Sequence, residues 1–160
     1  MKKIIDLYYR LLCVLVTALV GLLLFPVTLQ VVARYTDLIP TWLWTEEAAR
    51  FCLVWMIMLG ATIAVRNRMH FDIDLLPEPK TAHGKALARV VVDGAVALFG
   101  VAFLWIGAVY AYDARTEVSE ITEMSMALMY VAFPVSAAGW LLFLSEQIVD
   151  DLKQLARSRA

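Results

Sequence analysis

Three ionisable residues, Glu46, Glu47 and Arg50, stand together just before an apolar stretch of this sequence. Glu46 and Arg50 are four residues apart, so in a helix they share one face and can pair. Glu47 would lie near the helix N-terminus, where the helix dipole favours a negative charge. If water surrounds the pair, it contributes well under ~1 kcal/mol. Because a partly buried charge is costly in a membrane, we favour the alternative that the group faces protein, either a sister helix or a partner, and fixes the register there.

Two further ionisable residues and one set of small residues are candidates for specific contacts. Asp93 has Arg89 one helical turn before it, and this spacing predicts an ion pair. His70 lies in a basic segment, where both a solvated interfacial position and a specific role are open to it. Small residues allow membrane helices to pack closely. In the third apolar segment, small residues share one helix face, which either reflects chance or serves helix packing. They are Ala97, Gly100, Gly107 and Ala111.

The residues that common membrane chemistries require are missing from the apolar segments. Both histidines, His70 and His83, lie between segments, which leaves none inside a segment to bind haem. Cys13 and Cys52 lie near opposite faces of the expected membrane span, too far apart for a disulfide. The segments also lack a carboxylate at mid-membrane, which a small proton-coupled exporter needs. The sequence therefore predicts no catalytic residue, no cofactor and no metal site.

Four apolar segments must position these residues. The 160 residues are 62% apolar and the mean hydropathy is +0.73. The helices expected from these segments cover approximately residues 11–33, 42–65, 90–112 and 124–145, and the second begins before its apolar stretch, residues 51–65. About 20 residues are enough to cross a bilayer core. A signal peptide is the alternative for the first segment, but its apolar region runs only about 7–15 residues. We expect an all-α integral membrane protein with four transmembrane helices, in which residues 1–160 form a single membrane domain.

The distribution of Lys and Arg predicts the orientation of these helices. Eleven of these residues flank the segment ends on one side, namely the two termini and the middle connector, and three lie on the other. Cytoplasmic loops carry the excess of positive charge, so both termini and the middle connector should be cytoplasmic. The net charge of −1 gives no reason to expect a nucleic-acid partner. Membrane lipids are the expected surroundings.

An ordered set of residues around the second segment resembles one family. It comprises Arg34-Tyr35, Pro40, Trp44, Glu46-Glu47, Arg50, Trp55, Gly60-Ala61, Arg66, His70 and Asp74-Leu75-Leu76. This set is similar to the small membrane subunit of TRAP transporters, the DctQ-type subunit. The motif run covers residues 34–76, and the four-helix plan with both ends inside matches over the full length.

The resemblance implies a function and partners. TRAP systems import organic acids across a bacterial inner membrane, a periplasmic binding protein delivers the substrate, and a large DctM-type subunit moves it with sodium ions. The small subunit would be a scaffold that braces the large one, without substrate or ion sites of its own. The residues expected at the subunit interface or in structural contacts are Arg34, Trp44, Glu46, Glu47, Arg50, Gly60, Arg66, His70 and Asp93.

Two other classes of protein remain as alternatives. A self-sufficient small multidrug-type exporter working as a homodimer would need a mid-membrane carboxylate. A membrane enzyme would show a group of polar residues at one depth. Neither feature is visible in the sequence.

Overall fold

Four long helices make up most of the computed structural model, which describes residues 2–36, 40, 42–69 and 82–157. The long helices are α1 (Lys2–Tyr35), α2 (Leu43–Arg66), α3 (Ala82–Asp113) and α5 (Ala132–Arg157), and the single turn α4 (Ala127–Tyr130) precedes α5. Each long helix carries a stretch long and apolar enough to cross a membrane. The prediction of an all-α protein with four membrane-spanning helices is confirmed, and the chain is a multi-pass membrane protein.

The helices extend beyond the apolar segments at several ends. The 34 residues of α1 give a helix of about 50 Å, longer than a hydrocarbon core of about 30 Å. α3 likewise begins at Ala82, before its apolar segment. α2 begins after Trp42, whose backbone is extended, and the Thr45 hydroxyl donates a hydrogen bond to the Trp42 carbonyl at 2.7 Å.

The four long helices pack side by side in the order α1, α2, α5, α3. α5 lies inside this row and carries the most buried side chains, among them Phe143 and Leu144 at 0% and 1% exposure. Leu12 of α1, Leu59 of α2 and Val96 of α3 complete the apolar core around it. α1 and α3 form the two edges of the row, and each therefore leaves a wide apolar face uncovered.

Glycines allow the helices of this row to approach closely. A Cβ added at Gly139 of α5 would lie 2.8 Å from Thr62 Cγ2 of α2 and 2.9 Å from the Tyr8 hydroxyl of α1. On α3, an added Cβ at Gly100 would lie 3.1 Å from Leu141, and one at Gly107 would lie 3.0 Å from Phe133. Two members of the small-residue face on α3 thus pack against α5, as the close-packing interpretation predicts.

Candidate functional site

Two clusters that contain ionisable side chains lie at opposite ends of α2. The first, which we call the Glu46 cluster, comprises Trp44, Glu46, Glu47 and Arg50. The second, the Arg66 cluster, comprises Asp6, Arg66, Arg68, Asp93, Glu146 and Asp151. The two differ in burial and in how many helices they join.

In the Glu46 cluster the expected pair forms. Arg50 Nη2 lies 3.0 Å from Glu46 Oε1, four residues earlier on the same helix. The side chains are 60% and 64% exposed, so the pair faces outward from this chain and not toward a sister helix. In water such a pair contributes well under ~1 kcal/mol. Of the two contacts expected from the sequence, a sister helix or a partner subunit, only the partner subunit is left for these two charges to position.

Glu47 turns instead toward the segment between α3 and α4. Its carboxylate faces the hydroxyl groups of Ser119 and Thr122, although its Oε2 is buried without a hydrogen-bond partner among the described residues. That segment forms a short reversal in which Val118 and Ser125 make an antiparallel bridge. Directly after this segment, the Leu128 carbonyl of α4 accepts a hydrogen bond from the Trp55 indole of α2 at 3.2 Å.

Of the other expected interface residues, Trp44 and Arg34 are exposed and Gly60 is partly buried. Trp44 stacks on Trp42 with ring centroids 6.1 Å apart. Arg34 and Glu46 line an open cavity of about 320 Å³ between the end of α1 and the start of α2. Gly60 lies further along α2, and a Cβ there would meet no atom within 4 Å. The structure therefore brings Arg34 near the Glu46 cluster but leaves Gly60 away from it.

In the Arg66 cluster, Arg66 joins α2 to both of its neighbours. Its Nη1 lies 2.6 Å from Glu146 Oε2 of α5, and its Nη2 lies 3.1 Å from Asp6 Oδ1 of α1. The Gln147 amide of α5 adds two hydrogen bonds, to the Val65 carbonyl at 3.2 Å and the Arg66 carbonyl at 3.0 Å. Arg66 was an expected contact residue, but its partners were not foreseen.

Arg68 reaches two carboxylates that are almost fully buried. Its Nη2 lies 2.7 Å from Asp151 Oδ2 and 3.7 Å from Asp93 Oδ2, and these side chains are 3% and 5% exposed. The sequence suggested Arg89 as the partner of Asp93, and the ion pair that the structure describes for this carboxylate is with Arg68. The last expected residue of this region, His70, lies outside the described residues.

Sequence reasoning missed most of this cluster. Asp6 and Glu146 lie 60 and 80 residues from Arg66, and Asp151 lies 83 residues from Arg68. Local spacing cannot pair residues so far apart. One signal was available, because each carboxylate lies close to the end of an apolar segment on the side where the two arginines also lie.

The polar side chains of the described residues mainly make contacts within and between helices. Among those residues, no group of three or more His, Cys, Asp or Glu side chains is placed to hold a metal ion. Between the two clusters the buried polar contacts are hydrogen bonds, such as the one that Trp140 Nε1 donates to Thr62 Oγ1 at 3.1 Å. Such a hydrogen bond joins α2 to α5 within the apolar core.

Comparison with known proteins gives one family and several relatives. Residues 23–154 match the family described as tripartite ATP-independent periplasmic transporters, DctQ component. The isethionate TRAP transporter permease protein DctMQ of Oleidesulfovibrio alaskensis is 22% identical over 71% of this chain and 19% of its own length. The C4-dicarboxylate TRAP transporter small permease protein DctQ of Rhodobacter capsulatus is 30% identical over 59% of this chain and 43% of its own length. This chain thus spans less than half the length of either relative.

Proposed function

Since the chain belongs to the DctQ family of tripartite ATP-independent periplasmic transporters, we propose that it is the small membrane subunit of a sodium-coupled importer of an organic acid. In this role it braces a large DctM-type subunit in a bacterial inner membrane, and a periplasmic binding protein delivers the substrate. The family match over residues 23–154 carries the proposal.

The uncovered faces of the helix row support the bracing role. In the most apolar stretch of each helix, 11% of the residues are buried in α1 and 17% in α3, against 22% in α2 and 39% in the stretch that includes α5. An edge helix with an uncovered apolar face can meet lipid or a helix of another subunit. A brace needs such wide faces, and the row supplies one at each edge.

The named relatives support the substrate class and the partner. One is named for isethionate and the other for C4-dicarboxylates, and both are small organic anions. The relative named DctMQ shares only 19% of its length with this chain. Its name joins the DctM and DctQ designations, which supports a DctM-type partner for this chain.

Reconstitution tests the proposal directly. The chain is purified and placed in liposomes with a sodium gradient, alone or with the large subunit and binding protein of its own organism. Radiolabelled C4-dicarboxylates and isethionate are the probes. We expect uptake only when all three proteins and sodium are present. Solute flux through the lone chain would contradict the bracing role and favour the self-sufficient exporter.

A further inference from the structure

The end of α2 is the place where all four long helices meet through charged side chains. Arg66 contacts Asp6 of α1 and Glu146 of α5. Arg68, two residues later, contacts Asp151 of α5 and Asp93 of α3. Two arginines on one short stretch of chain thus reach each of the other three long helices.

The carboxylates of this cluster are increasingly buried toward α3 and α5. The exposed fraction of the side chain falls from 60% for Asp6 to 17% for Glu146, 5% for Asp93 and 3% for Asp151. Exposed ion pairs contribute little, but removal of one partner from a buried pair leaves an uncompensated charge and is strongly destabilising. Arg68 is itself 37% exposed, but Asp151, 2.7 Å away, is buried, so removal of Arg68 would leave the Asp151 carboxylate without this partner.

The backbone conformation at Arg68 also indicates that its side-chain contacts are important. Its φ is 56°, in the left-handed region that residues with a side chain rarely adopt and that glycine adopts freely. The position follows α2 directly, since the Arg68 amide donates to the Val65 carbonyl, and glycine is the usual residue at such helix ends. An arginine in this conformation costs backbone free energy, so we infer that the contacts of its side chain offset that cost.

We propose that Arg66 and Arg68 form an electrostatic clamp that holds the ends of the four long helices together, and that Arg68 is left-handed so that it can reach two buried carboxylates. The clamp acts at one end of α2 only. At the other end the structure shows the pair of Glu46 with Arg50, which is exposed and lies within a single helix. The proposal concerns the isolated chain and holds whether or not the transport role does.

A matched pair of glycine substitutions separates the clamp from simple helix termination. Glu123 is exposed and has a φ of 55°, almost the same as Arg68. Glycine relieves the backbone at either position, so helix termination alone predicts that both variants keep or raise the thermal midpoint. The clamp predicts that Arg68→Gly lowers the midpoint of the purified chain in detergent by roughly 5 °C or more, while Glu123→Gly lowers it by less than about 2 °C. Equal effects of the two substitutions would overturn the clamp.

A charge exchange keeps the test decisive if Arg68→Gly cannot be purified. Aspartate tolerates the left-handed region better than most residues, so Arg68→Asp combined with Asp151→Arg restores a pair of opposite charges. We expect the double variant to regain at least about half of the midpoint lost by Arg68→Asp alone. A double variant no more stable than the single one would count against the clamp.

Distance measurements show whether the helix ends separate. Spin labels are attached to cysteines at exposed positions Leu7 of α1 and Val91 of α3, near the clamp, or at Leu24 and Trp105, further along the same two helices. The native residues Cys13 and Cys52 are replaced by alanine. In Arg68→Gly the distance distribution of the first label pair should broaden, and that of the second should change less. An unchanged distribution for the first pair would refute the clamp.

Discussion

Arg50 and Glu46 lie 3.0 Å apart, yet more than half of each side chain is exposed in the single chain. We therefore expect Arg50→Ala to change the stability of the isolated chain by well under ~1 kcal/mol, because water replaces the lost partner. If a partner subunit covers the pair, the same substitution leaves a carboxylate unpaired at the interface, which costs about 3–5 kcal/mol for a buried pair. Less large subunit should then co-purify, and uptake should fall in proportion.

Lys153→Ala is the control for this prediction. Lys153 pairs with Asp150 on α5 at 3.6 Å, and this pair is also exposed and within one helix. We expect Lys153→Ala to change neither assembly nor uptake. If Arg50→Ala leaves assembly intact but abolishes uptake, Arg50 acts in the transport mechanism and its assignment as an interface residue is wrong.

Gly139 and Gly60 are expected to respond to alanine in opposite ways. At Gly139 the new methyl group would lie 2.8 Å from Thr62 Cγ2, a branched side chain with 0% exposure. Gly139→Ala should therefore lower the free energy of unfolding by about 1–3 kcal/mol. At Gly60 the methyl group meets no atom within 4 Å, so Gly60→Ala should be neutral or stabilise by up to about 1 kcal/mol through helix propensity.

Chemical denaturation of the two purified variants in mixed micelles measures this difference. Equal losses at both positions would mean that the close approach around Gly139 does not limit the packing. Gly60→Ala has a second use, since Gly60 is an expected interface residue. A variant that is stable alone but assembles poorly with the large subunit would place Gly60 in that interface.

At the level of helices, the apolar segments of the sequence identify which parts of the chain cross a membrane but not where the helices end. Twenty or more apolar residues in a row are a strong signal, because a membrane leaves few other structures for them. The helix ends lie in polar segments, where the hydropathy signal disappears. The fourth apolar segment illustrates this, since Met124 belongs to the reversal that bonds to Ser119, and the helical turn α4 begins only at Ala127.

The contacts between helices were less accessible to sequence reasoning than the helices themselves. The pair Glu46 and Arg50 could be predicted because helix geometry brings residues four apart together. The partners of Arg66 and Arg68 could not, since they depend on the order α1, α2, α5, α3 in the row. That order follows from close contacts such as the one at Gly139, where neighbouring helices must fit to within fractions of an ångström.

The hydrogen bond between α2 and α5 gives a prediction for this pair of helices. Trp140 Nε1 donates to Thr62 Oγ1 at 3.1 Å, and the Trp140 ring stacks on Phe103 of α3 at 5.2 Å. Trp140→Phe removes the donor but keeps an aromatic ring, and the Thr62 hydroxyl retains its bond to the Met58 carbonyl. We expect the free energy of unfolding to fall by about 1 kcal/mol.

Trp105→Phe is the matched control on α3, because Trp105 is 74% exposed. Its effect on unfolding in the same detergent should be small. If the two substitutions destabilise the chain equally, the loss reflects ring size and the hydrogen bond to Thr62 contributes nothing measurable.

Considered as a whole, the molecule is a row of helices with an interior and two edges, and not a closed bundle. The extensive contacts between long helices are those of α1 with α2, α2 with α5, and α5 with α3. The Tyr8 ring of α1 also reaches Phe143 of α5. The Arg66 cluster joins all four at one end, and the Glu46 cluster presents charges outward at the other. A row that is tied at one end and exposes apolar faces along both edges is suited to a subunit that lies against a larger membrane protein.

The orientation of this row decides which side of the membrane each cluster faces. In the sequence, eleven Lys and Arg residues belong to the termini and the middle connector, and three lie around the other two connectors. This asymmetry predicts that the Arg66 cluster is cytoplasmic and the Glu46 cluster periplasmic. Reporter fusions check this prediction. A reporter that fluoresces only in the cytoplasm should give a signal at either terminus or within residues 77–80. A phosphatase that is active only in the periplasm should give one within residues 34–41 or 113–123.

The middle connector is the decisive position, because residues 66–89 carry five of the eleven charges. Phosphatase activity from a fusion there would show that the predicted orientation is reversed. The Glu46 cluster would then lie in the cytoplasm, out of reach of a periplasmic binding protein. A charge-depleted version of the connector, with Lys80, Lys85 and Arg89 changed to glutamine, is the matched test of the cause. Its cytoplasmic signal should weaken if those charges set the orientation, and it should stay unchanged if the remaining charges and the helix packing suffice to set it.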